Sequence, residues 1–405
     1  MTRLWDRGEP LDDFVLRYTA GEDYRLDERL VHYDLVASAA HASMLAAAGF
    51  LSASDLVALH GALTALGESH ARGEWNIALD DEDCHTAIEN RLVAAVGEPG
   101  RAIHLGRSRN DQVVAAMRLW LKDELSGLAD AADAVANALD AVAEQHGTLP
   151  MPGYTHLQRA MPSTVGLWAC GFASEVRDDA VGLRAARRRA DRNPLGSAAG
   201  YGVPLLALDR ASTTRALGFA ETHEPVTAVQ LSRGKAEATA LFEATMLATD
   251  LGRLAADLCL FATAEFGFVK LPTAFTTGSS MLPQKRNPDV FELARGRSGE
   301  TAAALSEVLS VISKMPSGYH RDLQLVKKPL MRGLDSVRDT AAMLVHALPG
   351  VLFDAARMSA ALDPSVYAAE AAMRLVRDEG ISFREAYRRV KEGGVRGAPP
   401  VLGGV

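Results

Sequence analysis

Four stretches of this chain run without a proline: Ser108 to Gly147, Ser163 to Arg192, Val226 to Phe268 and Asp289 to Met315. Each is far longer than an ordinary globular helix of about 11–12 residues. At ~1.5 Å rise per residue, the longest would reach roughly 50–60 Å. Their composition favours helix over sheet. The chain is 48% hydrophobic but only 6% aromatic, and most of the apolar content is Ala, Leu and Val. Met117, Leu119, Trp120, Leu121, Leu125 and Leu128 keep approximate helical spacing, as do Leu241, Met246, Leu247, Leu251, Leu254 and Leu258. Strand signals are scarce. The spacing predicts an all-α chain built on long rods.

Phe242 to Phe266 is apolar over most of its circumference. A helix with so wide an apolar surface must be buried from more than one side. Rods from several copies packed together would do this, so the pattern predicts a homo-oligomer on a helical bundle, with burial inside a single subunit as the alternative. The expected organisation has three parts: an N-terminal helical domain over 1–105, a central long-helix domain over 106–350 carrying the oligomer core, and a short C-terminal region over 351–405 with a loose tail. Shorter helical pieces are expected at Asp27–Gly49, Ser54–Arg72, Pro364–Asp378 and Phe383–Glu392.

The formal net charge of −8 argues against nucleic-acid or anionic-membrane partners. The three cysteines, Cys84, Cys170 and Cys259, form no CxxC pair. They neither build a zinc site nor require disulfides, so a reducing compartment fits. No apolar signal core opens the chain and no run spans a bilayer, so the expected location is cytoplasmic. The chain lacks GxSxG, GxxxxGK[ST], HExxH and GxGxxG, which removes support from serine hydrolases, P-loop NTPases, zinc proteases and dinucleotide enzymes.

Five polar clusters interrupt the rods. The stretch from Thr277 to Asp289 carries serines, a lysine and turn-formers. Asn287, Pro288 and Asp289 read as N-cap, first helical position and first-turn acid. A glycine-hinged loop ending at such a helix start suits an anion and suggests a catalytic flap. The alternative is an ordinary interhelical loop. At Asp80–Glu89, four acids precede a helix, as the helix dipole favours; a metal role is the weaker reading. Arg107, Ser108, Arg109 and Asn110 abut the longest rod, where Ser108 and Asn110 can cap it and the arginines can help hold a carboxylate or phosphate. His156 lies among Thr155, Gln158 and Arg159 in a proline-bounded loop, held as a proton carrier or simply at the surface. Tyr319, Gln324 and Lys327 either point into a cleft or solvate a helix start.

Taken together these clusters resemble the argininosuccinate lyase family of the fumarase/aspartase superfamily. The matching segments are Gly106–Gln112, Gly153–Ala160, Pro194–Ala198, Gly278–Ser280 with Pro283–Asp289, and Arg321–Gln324, in the family's order and spacing. The resemblance covers roughly residues 25 to 390. It implies a three-domain, mostly helical subunit and a homotetramer around a 20-helix core, with each active site drawn from three subunits. The implied reaction is cofactor-free, reversible elimination of argininosuccinate to arginine and fumarate, a step of arginine biosynthesis; no metal is implied.

In that scheme Ser279 is the general base and Lys285 stabilises its alkoxide. His156, paired with Glu292, orients or relays protons. Ser108, Arg109, Asn110, Thr155, Arg233, Asn287, Tyr319, Gln324 and Lys327 bind substrate. Departures from the family pattern include the Trp5–Glu9 opening, Leu105, His320, Leu325-Val326 and Gly234-Lys235. They gather nearer the substrate's amino-acid end than the elimination chemistry. Two other readings compete: a related lyase acting on another succinyl-amine such as adenylosuccinate, and a catalytically silent, crystallin-like homologue.

Overall fold

The computed structural model describes residues 12–394. The Trp5–Glu9 opening and the tail beyond residue 394 lie outside the described residues. The chain is mostly helical, as its composition predicts. Five long helices dominate: Arg109–His146, Val165–Ala190, Lys235–Phe261, Asp289–Ile312 and Lys327–Ala347. The 38-residue first helix fills the proline-free stretch almost end to end. The 165–190 helix closes with Arg187, Arg188 and Arg189 in its last turn, where cations oppose the dipole's negative end.

Three expectations need correction. The Val226–Phe268 stretch is two helices, Val226–Leu231 and Lys235–Phe261. The break falls at Gly234, whose φ of +79° suits glycine, and whose Cβ, if present, would lie 2.2 Å from Ile312. The helix after the serine-rich loop starts one residue later than its cap signature implies: the Pro288 carbonyl takes the first helical bond, from the Glu292 N–H at 3.1 Å. The Asn287 side chain binds the Thr277 hydroxyl at 3.3 Å instead of capping. Finally, residues expected to be loop form a hairpin, Pro150–Thr155 paired antiparallel with Gln158–Thr164. Its prolines and polar side chains give no alternating apolar signal, and prolines are tolerated because a two-strand ribbon has two free edges.

The described chain divides into two compact units, each assembled from separate segments. The first takes residues up to 129, 182–245 and 301–335; the second takes the rest. In the first unit, Ala37, Ala115, Leu119, Leu195, Leu217 and Phe219 form a buried cluster. Its N-terminal helices, Val31–Ala47 and Ala53–Ala71, fall where the sequence places them, and the second starts with a Ser52/Asp55 capping box. Arg29 binds Asp335 through both carboxylate oxygens, at 2.7 and 3.0 Å, and lies over the Trp120 ring.

The second unit gathers aromatic rings: Trp168 packs against Phe172, Phe261 and Phe353, and its indole N–H donates to Asp257 at 3.0 Å. Its C-terminal helices, Ala368–Glu379 and Phe383–Gly393, also match expectation. Among the described residues, no helix is long and apolar enough to cross a membrane.

Candidate active site

The site begins with the start of the longest helix. Ser108 is its N-cap: the hydroxyl accepts from the Asn110 N–H at 2.9 Å, and Asp111 returns the favour by accepting from the Ser108 N–H at 3.0 Å. Asp111 is buried and also accepts from the Gly196 and Ala198 N–H groups, at 2.9 and 2.8 Å. Burial pushes its pKa up to about 6, while these donors and Arg107 pull the other way. The clamp fixes the 194–198 turn against the helix start and sets Arg109 and Asn110 beside a cavity.

That cavity holds about 140 Å³ and lies within the first unit. Six expected substrate-binding residues line it: Arg109, Asn110, Arg233, Tyr319, Gln324 and Lys327. Arg233 is buried, and its guanidinium stacks 5.6 Å from the Tyr319 ring. Gln324 donates to the Thr19 and Ala20 carbonyls at 3.0 and 3.1 Å, tying this edge to an N-terminal helix end. Ser108 does not line the cavity; its hydroxyl serves the cap.

The cavity floor is a buried network of charge. Lys327 Nζ donates to Asp27 at 2.6 Å and Asp23 at 2.9 Å. Burial opposes its positive charge, but the two carboxylates overcome that and hold its pKa above the usual lysine range. His85 Nδ1 lies 3.1 Å from Asp34, which also accepts from the Gln112 amide at 2.9 and 3.0 Å. Burial disfavours both charges of this pair. Mutual attraction nonetheless raises the imidazole's pKa and lowers the carboxylate's.

His85, Asp83, Glu82, Asp23 and Arg321 are cavity residues that the resemblance did not assign. Of these, Glu82, Asp83 and His85 lay inside a cluster whose composition had flagged it. Asp83 does cap the following helix, accepting from the Thr86 N–H at 2.8 Å, and also binds Arg109 at 2.8 Å. Glu89 turns to His104 at 3.0 Å. Asp27, Cys84 and His85 converge within 4.8 Å. They make a poor cation cage, because burial pushes the thiol's pKa well up and Asp27 is already committed to Lys327.

The remaining expected residues belong to the second unit and none lines that cavity. Ser279, Lys285 and Asn287 sit on a loop pinched at its neck, where the Asn287 N–H donates to the Thr277 carbonyl at 2.9 Å. Asp289 completes the neck by accepting from the Thr277 N–H and hydroxyl at 3.2 and 2.5 Å. Ser279 Oγ accepts from the Met281 and Leu282 N–H groups at 3.2 and 3.1 Å. Two donors on one hydroxyl oxygen favour its anionic form. Lys285 is exposed on the same loop, and Glu292 is exposed in the first turn of the helix that follows.

Thr155 and His156 lie at the hairpin tip. The pairing of Thr155 with Gln158 leaves His156 and Leu157 as a two-residue turn, with φ of 55° and 59°. Such turns are normally Asn-Gly or Gly-rich. A leucine there is strained, and Leu157 is also largely exposed. Among the described residues no hydrogen bond or ion pair joins His156 to Glu292.

The mostly helical chain thus carries a charged cavity in its first unit and a serine loop in its second. Residues 13–302 match the family model described as "Lyase". The chain is 49% identical to the argininosuccinate lyase of Sorangium cellulosum (strain So ce56), over 96% of this chain and 90% of that one. Among solved structures, an EDDS lyase in complex with formate matches with a TM-score of 0.77 at 23% identity, over 95% of this chain and 78% of that one. A class II fumarase from Schistosoma mansoni matches with a TM-score of 0.78 at 16% identity, over 95% and 93%. The chain belongs to the argininosuccinate lyase family.

Proposed function

We propose that this chain catalyses the reversible elimination of argininosuccinate to arginine and fumarate, in arginine biosynthesis. The observation that carries the reading is the 49% identity, over nearly the whole chain, to a relative named for that activity. The cavity is chemically suited to it. The proton lost sits on carbon beside a carboxylate, so its departure makes a carbanion whose charge spreads into that carboxylate. Fixed N–H donors and cations stabilise such a group without reorganising. Arg109, Asn110 and Arg233 are such groups in the cavity, and Thr155, Lys285 and Asn287 are such groups on the hairpin tip and the serine loop.

In this proposal Ser279 is the general base. A serine hydroxyl is a poor base unless its alkoxide is stabilised. The Met281 and Leu282 N–H groups already point at its oxygen, and Lys285 adds a positive charge. His156, at the strained hairpin tip, handles the second proton transfer with Glu292. The chemistry needs no cofactor or metal.

The site would be shared among copies of a homotetramer. Supporting this, the long helices expose Leu167, Val181, Phe242, Met246, Leu293 and Leu309, apolar residues that a neighbouring helix would cover. A cytoplasmic location fits a biosynthetic enzyme. The deciding experiment is fumarate release, read as ultraviolet absorbance, with argininosuccinate and adenylosuccinate as separate substrates. Release from argininosuccinate is expected. Release only from adenylosuccinate, or from neither, overturns the reading.

A further inference from the structure

The first unit carries a second, larger hollow of about 570 Å³. The end of the 165–190 helix and the start of the 235–261 helix form its walls. Four cations line it: Arg188 and Arg189 from the first helix end, Arg192 just beyond, and Lys235 from the second helix start. Two acids, Glu221 and Glu243, line it as well.

These charges do not cancel. Glu221 is committed to Arg192, 2.7 Å from its Nε. Glu243 is not free either, and its carboxylate sits against Gly182, where an added Cβ would fall 2.3 Å from it. Among the described residues, no hydrogen bond or ion pair holds the Arg188, Arg189 or Lys235 side chain. A helix C-terminus favours cations, which accounts for Arg188 and Arg189 taken alone. It does not account for a lysine from another helix converging on the same hollow. The positive end of the 27-residue helix's dipole adds to the same field.

We propose that this hollow binds a small, multiply charged oxyanion through Arg188, Arg189 and Lys235. The assignment stands apart from the lyase reading. Guanidinium groups offer paired N–H donors to phosphate and carboxylate oxygens alike, and a lysine adds a point charge. Ser232 and Thr239 bring hydroxyls to the wall. Among the described residues no aromatic side chain lines the hollow, so nothing there stacks on a nucleobase. What is recognised is the charge itself.

The test is isothermal titration calorimetry of the purified full chain at fixed ionic strength. Pyrophosphate and citrate are the probes, one for each source of oxyanion. Binding of at least one of them at one site per chain is expected, and the tighter probe names the source. The double variant Arg188→Gln, Lys235→Gln should weaken it by at least about tenfold, the scale of one lost charge-assisted hydrogen bond. Arg188→Lys, which keeps the charge, should lose less.

A wild type that binds neither probe overturns the proposal, whether or not the variants fold. If that wild type also forms a larger particle by light scattering than the double variant does, the three cations serve contact with a neighbouring copy instead. Binding that the double variant keeps also overturns the proposal, because the anion then sits elsewhere, the substrate cavity included. Should the double variant not fold, Lys235→Gln alone must still weaken the anion; unchanged affinity there overturns the proposal equally.

Discussion

The cavity of the first unit and the serine loop of the second solve opposite problems. In the cavity, the charges are buried and already partnered: Lys327 with Asp27 and Asp23, His85 with Asp34. Their geometry is fixed before any ligand arrives. On the loop, Lys285 is exposed and Ser279 half-buried, and the oxygen is aimed by its own backbone rather than by packing. The hairpin tip resembles the loop, with His156 exposed on a strained turn. The difference separates binding from chemistry. A preorganised floor discriminates ligands, whereas exposed reactive groups become effective only when water is excluded around them.

The contrast breaks most visibly at Ser279. Ser279→Ala is expected to lower kcat by about 10³-fold, the scale of a lost general base. Particle mass by light scattering should stay unchanged, because among the described residues the side chain's hydrogen bonds go to its own loop. Near-normal turnover would remove serine from the base role and leave the loop a structural turn.

His85→Gln probes the other region and should act on stability. Removing one partner of a buried ion pair typically costs ~3–5 kcal/mol. The pH dependence follows from the signs. His85 has its folded pKa raised, so its contribution is full below its unfolded value near ~6.5 and fades as pH rises through the folded value. Asp34 has its folded pKa lowered, so its contribution is present above ~3.9 and fades as pH falls through the folded value. The melting-temperature gap between wild type and variant should be widest between pH ~4 and ~6.5 and narrow on the alkaline side. A gap that stays flat into alkaline pH would show that the pair is not ionised.

The smallest effect is expected at the hairpin. Leu157→Gly relieves a left-handed backbone and should stabilise the chain by about 1 kcal/mol. Thermal or denaturant unfolding measures this. A destabilised variant would mean that the leucine side chain contributes more than its backbone costs.

Local patterns carried much of this protein in its sequence. The proline-free Ala/Leu stretches specified long helices because helix propensity and 3.6-residue spacing act over a few neighbours. The Ser108 cap and the acid run ending at Asp83 were legible for the same reason, as contacts spanning three or four residues. The hairpin was not legible, since its strands carry prolines and polar residues and pairing supplies what pattern lacks. Nor were the cavity's inner partners. Lys327 meets Asp23 and Asp27 across about three hundred positions, and His85 meets Asp34 across about fifty. No spacing rule joins them; only burial in a shared interior makes each charge require the other.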